Sequence, residues 1–289
     1  LHVSDIKKFL RCQRMYRLSR AEKQKGAYFS FFRFKDSVET SIRAKLQIPC
    51  YWNGIKNDGN NQFFSAMDSV EWFHNVRLEY NDLRIRIPYL HKTKEGFDVY
   101  QTYIQTNPSS EDLIVFAAIT YVLNNLGLPI HDYYIAYLNG TYIREDVLDN
   151  EKLWIVSNTY NTVKGIPKIT ISDALQQKEW NFDTWIDDIR NLTDCEEFNK
   201  TKVCTRKTKC PYYETCFPMI TDDDDDSLLH LSSCARKFEM YEEGLTKLKD
   251  ADLDRIEGTR MQYAQIMASR NGGRFIDRLA LENFMSRLS

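Results

Sequence analysis

The sequence lacks any long apolar run. Its longest apolar stretch, residues 113–123, is interrupted by Thr120, and it is shorter than the roughly 18 residues that a membrane-spanning helix needs. The first residues, LHVSDIKKFLRC, contain neither an initiator methionine nor the apolar segment of a signal peptide. We therefore expect a cytoplasmic protein without a membrane partner. The missing methionine and the abrupt end, NFMSRLS, indicate a fragment of a longer protein.

Motifs of several common enzyme classes are also missing. The sequence contains no G-x-x-x-x-G-K-[ST] loop and no G-x-S-x-G turn, which argues against a P-loop nucleotidase and against a serine hydrolase of the α/β-hydrolase type. It has five histidines, of which His74, His91 and His131 lie in or beside the central, strand-rich region. We expect these three to be surface or core residues rather than catalysts.

Positive charge is concentrated near the N-terminus. Residues 1–50 contain twelve Lys or Arg and four Asp or Glu, a net charge of +8, whereas the other 239 residues total −10. Such segregation creates a local positive field, which serves either as a solvated helix face or as a phosphate-binding surface. Our candidates for nucleic-acid contacts are Arg11, Arg14, Arg17, Lys207 and Lys209.

Helical patterns occur at both ends of the chain and once in the middle. Ser4 can cap a helix that runs to about Arg20, and a second helix is predicted over 30–47. The apolar segment 110–126 predicts a helix that Ser109 or Ser110 caps and Gly127 ends. Residues 169–192 and 228–289 predict further helices, the latter short and broken at Asn271-Gly272-Gly273.

The middle of the chain alternates between apolar and polar residues. Segments 83–90 and 97–104 predict a hairpin that turns at Glu95-Gly96. Segment 131–138 predicts a third strand, and an Asn-Gly turn predicts its return as a fourth strand over 141–147. Strands and helices in this order are typical of an α/β core, a small mixed sheet flanked by helices.

Cysteine spacing is the strongest local signal. Seven cysteines without a secretory signal argue against a disulfide framework. Three of them form the pattern Cys204-x5-Cys210-x5-Cys216 within the basic segment KVCTRKTKCPYYETCFP. Thiolates are soft ligands, so the pattern predicts an iron–sulfur cluster or a zinc site, and the alternative is a set of free buried thiols. A fourth ligand could lie far away in sequence, and the candidates are Cys12, Cys195 and Cys234.

The segment SDIKKFLRCQRMYRL, together with the cysteine pattern, resembles the RecB-like PD-(D/E)XK nucleases that carry an iron–sulfur cluster. These include the nuclease of the CRISPR adaptation machinery and the AddB-type helicase–nucleases. In them, one cysteine near the N-terminus joins three near the end of the nuclease core. The resemblance thus implies that Cys12, Cys204, Cys210 and Cys216 hold a 4Fe–4S cluster that staples the ends of the domain together.

A closer resemblance is to a bacterial family of uncharacterised RecB-nuclease-like proteins. It rests on the x5/x5 cysteine spacing, on YYIAYLNGTYIR, and on the later segments FEMYEEGLTKLKDADLD and GGRFIDRLALENFMSRL. Full-length relatives continue into an RNase H-like exonuclease domain. The resemblance therefore implies a nuclease-like domain over 1–220, an acidic linker over 221–227, and a helical region over 228–289. It also implies a C-terminal exonuclease domain as a partner.

The catalytic pattern of that family is not preserved. A PD-(D/E)XK nuclease holds Mg²⁺ with a carboxylate on one strand and with D/E-x-K on the next. The matching positions here carry Pro88, Val99 and Gln101. A further acid expected upstream falls near His74, and Tyr121 has no matching Gln ahead of it. Asp98 precedes Val99 by one residue and so lies on the opposite strand face unless a bulge intervenes.

Three functions are compatible with these features. The first, which we favour, is a catalytically eroded nuclease domain that binds a 4Fe–4S cluster and nucleic acid. The second is an active Mg²⁺-dependent DNA exonuclease with relocated carboxylates, Asp98 with Glu79 or Glu111. The third is an interaction domain for the exonuclease domain, without nucleic-acid contacts of its own.

Overall fold

The computed structural model describes residues 1–21, 35–55, 58–106, 112–160, 169–192, 200–201, 204–205, 210–220 and 226–287. The chain divides into two compact units. The first contains Leu1–Tyr16 and Glu22–Thr193, and the second contains Arg17–Ala21 and Asp194–Ser289. Within the described ranges, no helix combines the length and the apolar character that crossing a membrane requires. Of the predicted linker 221–227, residues 221–225 lie outside the described residues, and Ser227 is fully buried, so the linker stays a prediction.

A six-stranded mixed sheet forms the centre of the first unit, as the predicted α/β class requires. Its strands are Trp52–Asn53 (β1), Trp72–Tyr80 (β2), Leu83–Lys92 (β3), Phe97–Tyr103 (β4), Ile130–Leu138 (β5) and Trp154–Ser157 (β6). They are arranged in the order β1-β2-β3-β4-β5-β6. The β1–β2 and β4–β5 pairs are parallel, and the other pairs are antiparallel. Thr159–Tyr160 (β7) and Ile169–Thr170 (β8) form a separate two-stranded sheet.

Helices flank this sheet on both faces. They are Val3–Arg11 (α1), Gln13–Ala21 (α2), Lys35–Lys45 (α3), Asn60–Ala66 (α4), Leu113–Asn125 (α5), Asn150–Leu153 (α6), Ile171–Gln176 (α7) and Phe182–Arg190 (α8). Helix α5 connects the parallel strands β4 and β5, as a parallel pair requires a crossover. It ends where Gly127 adopts φ +74, a conformation that favours glycine. The predicted caps Ser109 and Ser110 lie outside the described residues.

The predicted single helix from Ser4 to Arg20 is wrong. The backbone of Cys12 is extended (φ −169, ψ 120), and it separates α1 from α2. The Cys12 Sγ accepts a hydrogen bond from the backbone N–H of Met15 at 3.4 Å. The first N–H groups of a helix have no partner within the helix. The Cys12 thiol accepts from one of them at the start of α2, and it thereby stabilises the separation of α1 from α2.

The predicted fourth strand at 141–147 is also wrong, because β6 takes its place beside β5. The side chain of Asn139 accepts hydrogen bonds from the N–H and the hydroxyl of Thr141, and these close a local turn. Ile143 and Val147 remain 84% and 80% exposed. In contrast, Trp154 on β6 is buried, and its indole N–H donates to the Ser41 hydroxyl at 2.8 Å.

Strands β2 and β3 both change face at one point. Ile87 and Leu90 lie in the same hydrophobic cluster although they are three positions apart, an odd spacing that places residues of a regular strand on opposite faces. Between them lies Pro88, and Asn75 on β2 lies opposite Pro88 with φ +54. A residue without an N–H and a residue in the left-handed region together allow the paired strands to rotate. Beyond this point, the residues that regular alternation would direct toward one face of the sheet therefore lie on the opposite face.

Each face of the sheet has its own hydrophobic core. The main core contains residues such as Phe73, Ile87 and Val99, packed with side chains of α1, α5, α7 and α8. The opposite core centres on Tyr89 and Tyr100 and is covered by α3, with Ile42 fully buried. The region around Val99 is therefore apolar.

The second unit is built from short helices around a separate core. They are Tyr213–Cys216 (α9), Lys237–Glu242 (α10), Arg260–Arg270 (α11) and Arg278–Met285 (α12), with single 3₁₀ turns between them. As predicted, the Asn-Gly-Gly segment ends a helix, α11. The buried ammonium of Lys237 donates to the carbonyls of Leu229 and Leu231 at 2.7 and 2.9 Å. It thus satisfies carbonyls that the short turns leave without partners.

Candidate functional site

The face of the sheet where the resemblance places the metal ligands is filled by the main hydrophobic core. Ile87, which precedes the first expected position, and Val99 at the second are both fully buried in that core. Pro88 lies at the change of face and offers no donor atom for a cation. Because none of these side chains carries an oxygen, this part of the sheet cannot hold Mg²⁺ through them.

Gln101, at the position expected for the lysine, is 7% exposed, and its Nε2 has no hydrogen-bond partner in the described part of the chain. The buried hydroxyls of Tyr103 and Tyr160 share this property. Burial raises the pKa of both phenols, and the Asp112 carboxylate raises it further. The Lys7 ammonium lies 3.3 Å from Asp112. These neutral side chains can donate hydrogen bonds, for example to buried water, but they supply no base.

Asp98 lies on the opposite face from Val99, between two histidines. Its carboxylate is 2.7 Å from Nδ1 of His131 on β5 and 3.7 Å from Nδ1 of His91 on β3. The other ring nitrogen of His131, Nε2, lies 3.0 Å from a carboxylate oxygen of Glu95. The hydrogen bond to Asp98 raises the pKa of His131, and the charge of Glu95 raises it further. Both carboxylates thus favour the protonated form of His131.

The β4–β5 pairing contains a register irregularity between Phe97 and Asp98. Phe97 pairs with Ile130 and Asp98 pairs with Asp132, which leaves His131 without a strand partner. The irregularity turns the His131 ring toward Asp98, but it does not bring Asp98 to the face of Val99. Asp98 is therefore not moved to the face of the sheet where an active site with relocated carboxylates would need it.

Glu79, one of the two suggested partners of Asp98, is not brought near it. Glu79 pairs with Arg84, whereas the row that contains Asp98 passes through His91 and Trp72. Seven residues of β2 separate these rows, a length of roughly 23 Å. The other suggested partner, Glu111, lies outside the described residues. The strand register thus contradicts the suggested pairing of Asp98 with Glu79.

His74 is a buried residue whose polar atoms have partners. It is 3% exposed and stacks on the Tyr89 ring at 4.7 Å. Its Nδ1 lies 2.8 Å from the Asn53 side-chain oxygen, and its Nε2 lies 3.6 Å from the Glu39 carboxylate of α3. As expected, His74 is a core residue. Glu39, which the sequence did not single out, supplies the nearest carboxylate.

Three arginines occupy the polar face of the β2–β3 hairpin, and we call them the arginine row: Arg77, Arg84 and Arg86. Arg77 and Arg86 lie directly opposite each other in the antiparallel register, and Arg84 precedes Arg86 by two residues on the same face. Burial lowers the pKa of Arg77, and the charges of Arg86 and Arg84 lower it further. The Asp58 carboxylate acts in the opposite direction, so the repulsion between these guanidinium groups is offset in part within the chain.

Neighbouring groups fix the orientation of this row. Arg86 donates from Nε to the Asn75 side-chain oxygen at 2.9 Å, and it lies 3.6 Å from the Glu39 carboxylate. Arg77 donates to the Gly54 carbonyl at 3.4 Å. The Arg86 side chain is nevertheless 45% exposed. Planar, half-exposed guanidinium groups in a fixed array match the geometry of phosphate oxygens.

The cysteines predicted to be cluster ligands fall in different parts of the chain. Cys12 belongs to the first unit, and Cys204, Cys210 and Cys216 belong to the second. None of the six described cysteines forms a disulfide. Cys204 and Cys216 are partly buried against the core of the second unit.

The donor chemistry of these thiols fits a cluster. Among the described residues, no group of three or more His, Cys, Asp or Glu side chains is arranged to hold a metal ion. Cys195 lies outside the described residues. Burial raises the pKa of the Cys234 thiol, and the Glu257 carboxylate raises it further. Cys234 is thus the weaker competitor for the fourth ligand, because the thiolate is the form that binds metal.

The arginines predicted to contact phosphate lie at the end of α1 and along α2. Arg11 is exposed, whereas Arg14 and Arg17 are half-buried. Lys207 and Lys209 lie outside the described residues. The arginine row could not be predicted without β2, which contributes Arg77 and which no sequence pattern identified. The alternation in LRIRI, which places Arg84 and Arg86 on one face, is the signal that could have revealed it.

Comparison of the chain with protein-family models, with curated proteins and with solved structures finds no match. The resemblance to RecB-like nucleases therefore stays a proposal.

Proposed function

We propose that this chain is a nucleic-acid-binding module with a RecB-like, PD-(D/E)XK-type core that does not cleave by the metal-dependent mechanism of those nucleases. The observation that carries this proposal is the arginine row. Like charges that face each other across a hairpin are unfavourable, and a phosphate backbone between them would relieve that repulsion. The row presents its charge on the sheet face opposite the main core.

The residues at the expected catalytic positions support the second half of the proposal. Val99 is part of the main core, and Gln101 offers a neutral amide where a lysine would stabilise developing charge. The order of elements also supports the resemblance, because a helix, a three-stranded meander, helix α5 and a strand parallel to β4 follow one another. This is the mixed sheet flanked by helices that the resemblance implies.

The 4Fe–4S cluster remains part of the proposal, with Cys12, Cys204, Cys210 and Cys216 as its ligands. When bound, such a cluster would tie the N-terminal segment to the cysteine segment. Its support is the spacing and the soft character of the thiols. We assign the cluster no part in binding phosphate.

Nucleic-acid binding is tested by fluorescence anisotropy with labelled single-stranded and double-stranded oligonucleotides of DNA and RNA, in EDTA, over a series of salt concentrations. We expect affinity to fall steeply with salt. Each of the variants Arg77→Gln and Arg86→Gln should weaken binding several-fold and reduce the salt slope by about 1. Lys94→Gln, an exposed substitution in the β3–β4 turn, is the matched control.

Two results would reject the proposal. Absence of binding even at low salt would favour an interaction domain without nucleic-acid contacts. Degradation of an oligonucleotide in Mg²⁺ or Mn²⁺ that disappears in Asp98→Asn would favour an active exonuclease. Binding that is unchanged in both arginine variants would remove the arginine row from the interface.

A further inference from the structure

The chain between β5 and α6 forms a closed loop, which we call the 139–149 loop. Its base is held by hydrogen bonds from the Asn139 N–H to the Leu153 carbonyl and from the Asn139 side chain to the Lys152 carbonyl, both 2.9 Å long. At the other end, the Asp149 N–H donates to the Tyr142 hydroxyl at 3.0 Å. The loop is thus anchored at its base to α6 and closed on itself through the Tyr142 hydroxyl.

Three aliphatic side chains of this loop point into solvent. Ile143 is 84% exposed, Val147 is 80% exposed, and Leu148 is 44% exposed. Single exposed apolar residues are ordinary on a protein surface, but several within one short loop form a patch of the kind that marks interaction sites.

A groove lies beneath this patch. Its volume is about 730 Å³, within the range of ligand-binding clefts. Besides the three aliphatic residues, its walls include the rings of Tyr142 and Trp154. Trp154 is 3% exposed and belongs to the core beneath α3, so the base of the groove is rigid while its rim is formed by the loop.

The charge of the groove is acidic. Four carboxylates line it, those of Glu145, Asp146, Asp149 and Glu151. Two of these are neutralised within the chain. Asp149 caps α6 and lies 3.3 Å from the Lys152 ammonium. Glu151 pairs with Lys45 at 2.8 Å.

Glu145 and Asp146 are the lining carboxylates that form no ion pair within the part of the chain that the structure describes. With the exposed Arg144, which precedes them and is not part of the groove lining, they stand between the exposed Ile143 and the exposed Val147. An occupant of this groove must therefore combine an apolar side chain with adjacent positive charge. A polyanion such as nucleic acid is disfavoured by the same carboxylates.

We propose that the groove under the 139–149 loop binds a peptide segment of a partner protein in which an aliphatic or aromatic side chain is flanked by Lys or Arg. The apolar anchor fills the groove between Ile143, Val147 and Trp154. The basic neighbours pair with Glu145 and Asp146 at the rim. This site lies apart from the arginine row in sequence and has the opposite charge preference, so it does not depend on the proposed nucleic-acid function.

The test uses a short fluorescein-labelled peptide of Leu, Trp, Lys and Arg, and a matched peptide in which Glu and Asp replace the basic residues. We expect the basic peptide to bind, and the acidic peptide to bind at least tenfold more weakly. The variant Ile143→Ser/Val147→Ser and the charge reversal Glu145→Lys/Asp146→Lys should each weaken binding of the basic peptide at least tenfold.

Matched controls are Ile55→Ser, at a side chain that is 62% exposed outside the groove, and Glu179→Lys, an exposed charge reversal on the same unit. Both should bind as the wild type does. Unchanged binding in the two loop variants would overturn the proposal, as would equal binding of the acidic peptide. Self-association that Ile143→Ser/Val147→Ser abolishes would overturn it in favour of a second copy of this chain. Oligonucleotide affinity should not decrease in any loop variant.

Discussion

The Asp98 carboxylate on β4 and the His131 imidazole on β5 are joined across the sheet by a contact of 2.7 Å, at the point where the strand register is irregular. Asp98 is 7% exposed, and a carboxylate so buried is stable only when it is paired. His131 supplies that pairing because the irregularity leaves it outside the regular register of β5. Asp98, which is adjacent to the ligand position expected at Val99, is therefore paired with a histidine.

The first prediction concerns the pKa of His131. Because Asp98 raises this pKa above that of an unfolded histidine, the pair contributes stability that is fully present below the unfolded pKa. That stability is lost as the pH rises through the raised folded pKa. In an NMR titration of the His131 Cε1–H signal, the wild type should titrate above the ordinary value near 6.5. Asp98→Asn should lower the pKa toward that value.

Glu95→Gln provides the comparison for this titration. The contact with Asp98 raises the pKa of His131 more than the charge of Glu95 does. We therefore expect a smaller decrease in Glu95→Gln than in Asp98→Asn. A His131 pKa that does not change in Asp98→Asn would contradict the pairing.

The second prediction is that the expected acidic ligand cannot simply be restored. Val99→Glu would place a carboxylate at a fully buried position among the apolar side chains of the main core. We expect the first unit to lose more than about 3 kcal/mol of unfolding free energy. Urea denaturation followed by tryptophan fluorescence measures this unit alone, because all five tryptophans lie between residues 52 and 185.

Val147→Glu is the control, since the same substitution there changes a side chain that is 80% exposed. Its effect should stay within about 0.5 kcal/mol. If Val99→Glu were equally mild, the face that carries Val99 would be open to solvent, and an eroded but accessible active site would have to be considered.

The third prediction concerns the turn between β3 and β4. Gly96 adopts φ +140, and a Cβ added to it would lie 2.6 Å from the Pro129 carbonyl oxygen. Gly96→Ala should therefore destabilise the first unit by about 2 kcal/mol through backbone strain and overlap. Gly59→Ala should be nearly neutral, since its nearest contact is a side-chain atom at 3.8 Å. Equal urea midpoints for the two variants would contradict this geometry.

The fourth prediction concerns the cysteines. Protein purified without oxygen should contain about four iron and four sulfide per chain if the 4Fe–4S proposal is correct. Cys12→Ser should lose them, whereas Cys50→Ser, at an exposed thiol outside the proposed set, should retain them. If the protein instead contains zinc, and Cys12→Ser does not change the zinc content, the metal would be held by a local site at Cys204, Cys210 and Cys216.

Part of the fold could be predicted because its signals are local. Alternating apolar and polar residues and the turn residues Glu95-Gly96 predict the hairpin of β3 and β4, and both strands form. Helix α5 was marked by its apolar run and by Gly127. In each case the residues that specify the element are adjacent in sequence, so their pattern is visible without the partner elements.

Other elements could not be predicted because distant residues decide them. Strand β2 was missed because it changes face at Asn75, which interrupts the alternation that identifies a strand. The segment 141–147 alternates well enough to be taken for a strand, yet β6 occupies the edge of β5 in its place. Competition for one sheet edge cannot be seen in either segment alone.

The sequence by itself determined the chemistry that is available: an α/β core, seven cysteines, and no acid or lysine at Pro88, Val99 and Gln101. Tertiary structure decided which of these groups meet. It buried Val99 in a core, paired Asp98 with His131, and set Arg77 opposite Arg86. The physical reason is that strand register and face, which long-range pairing sets, determine which side chains share a surface.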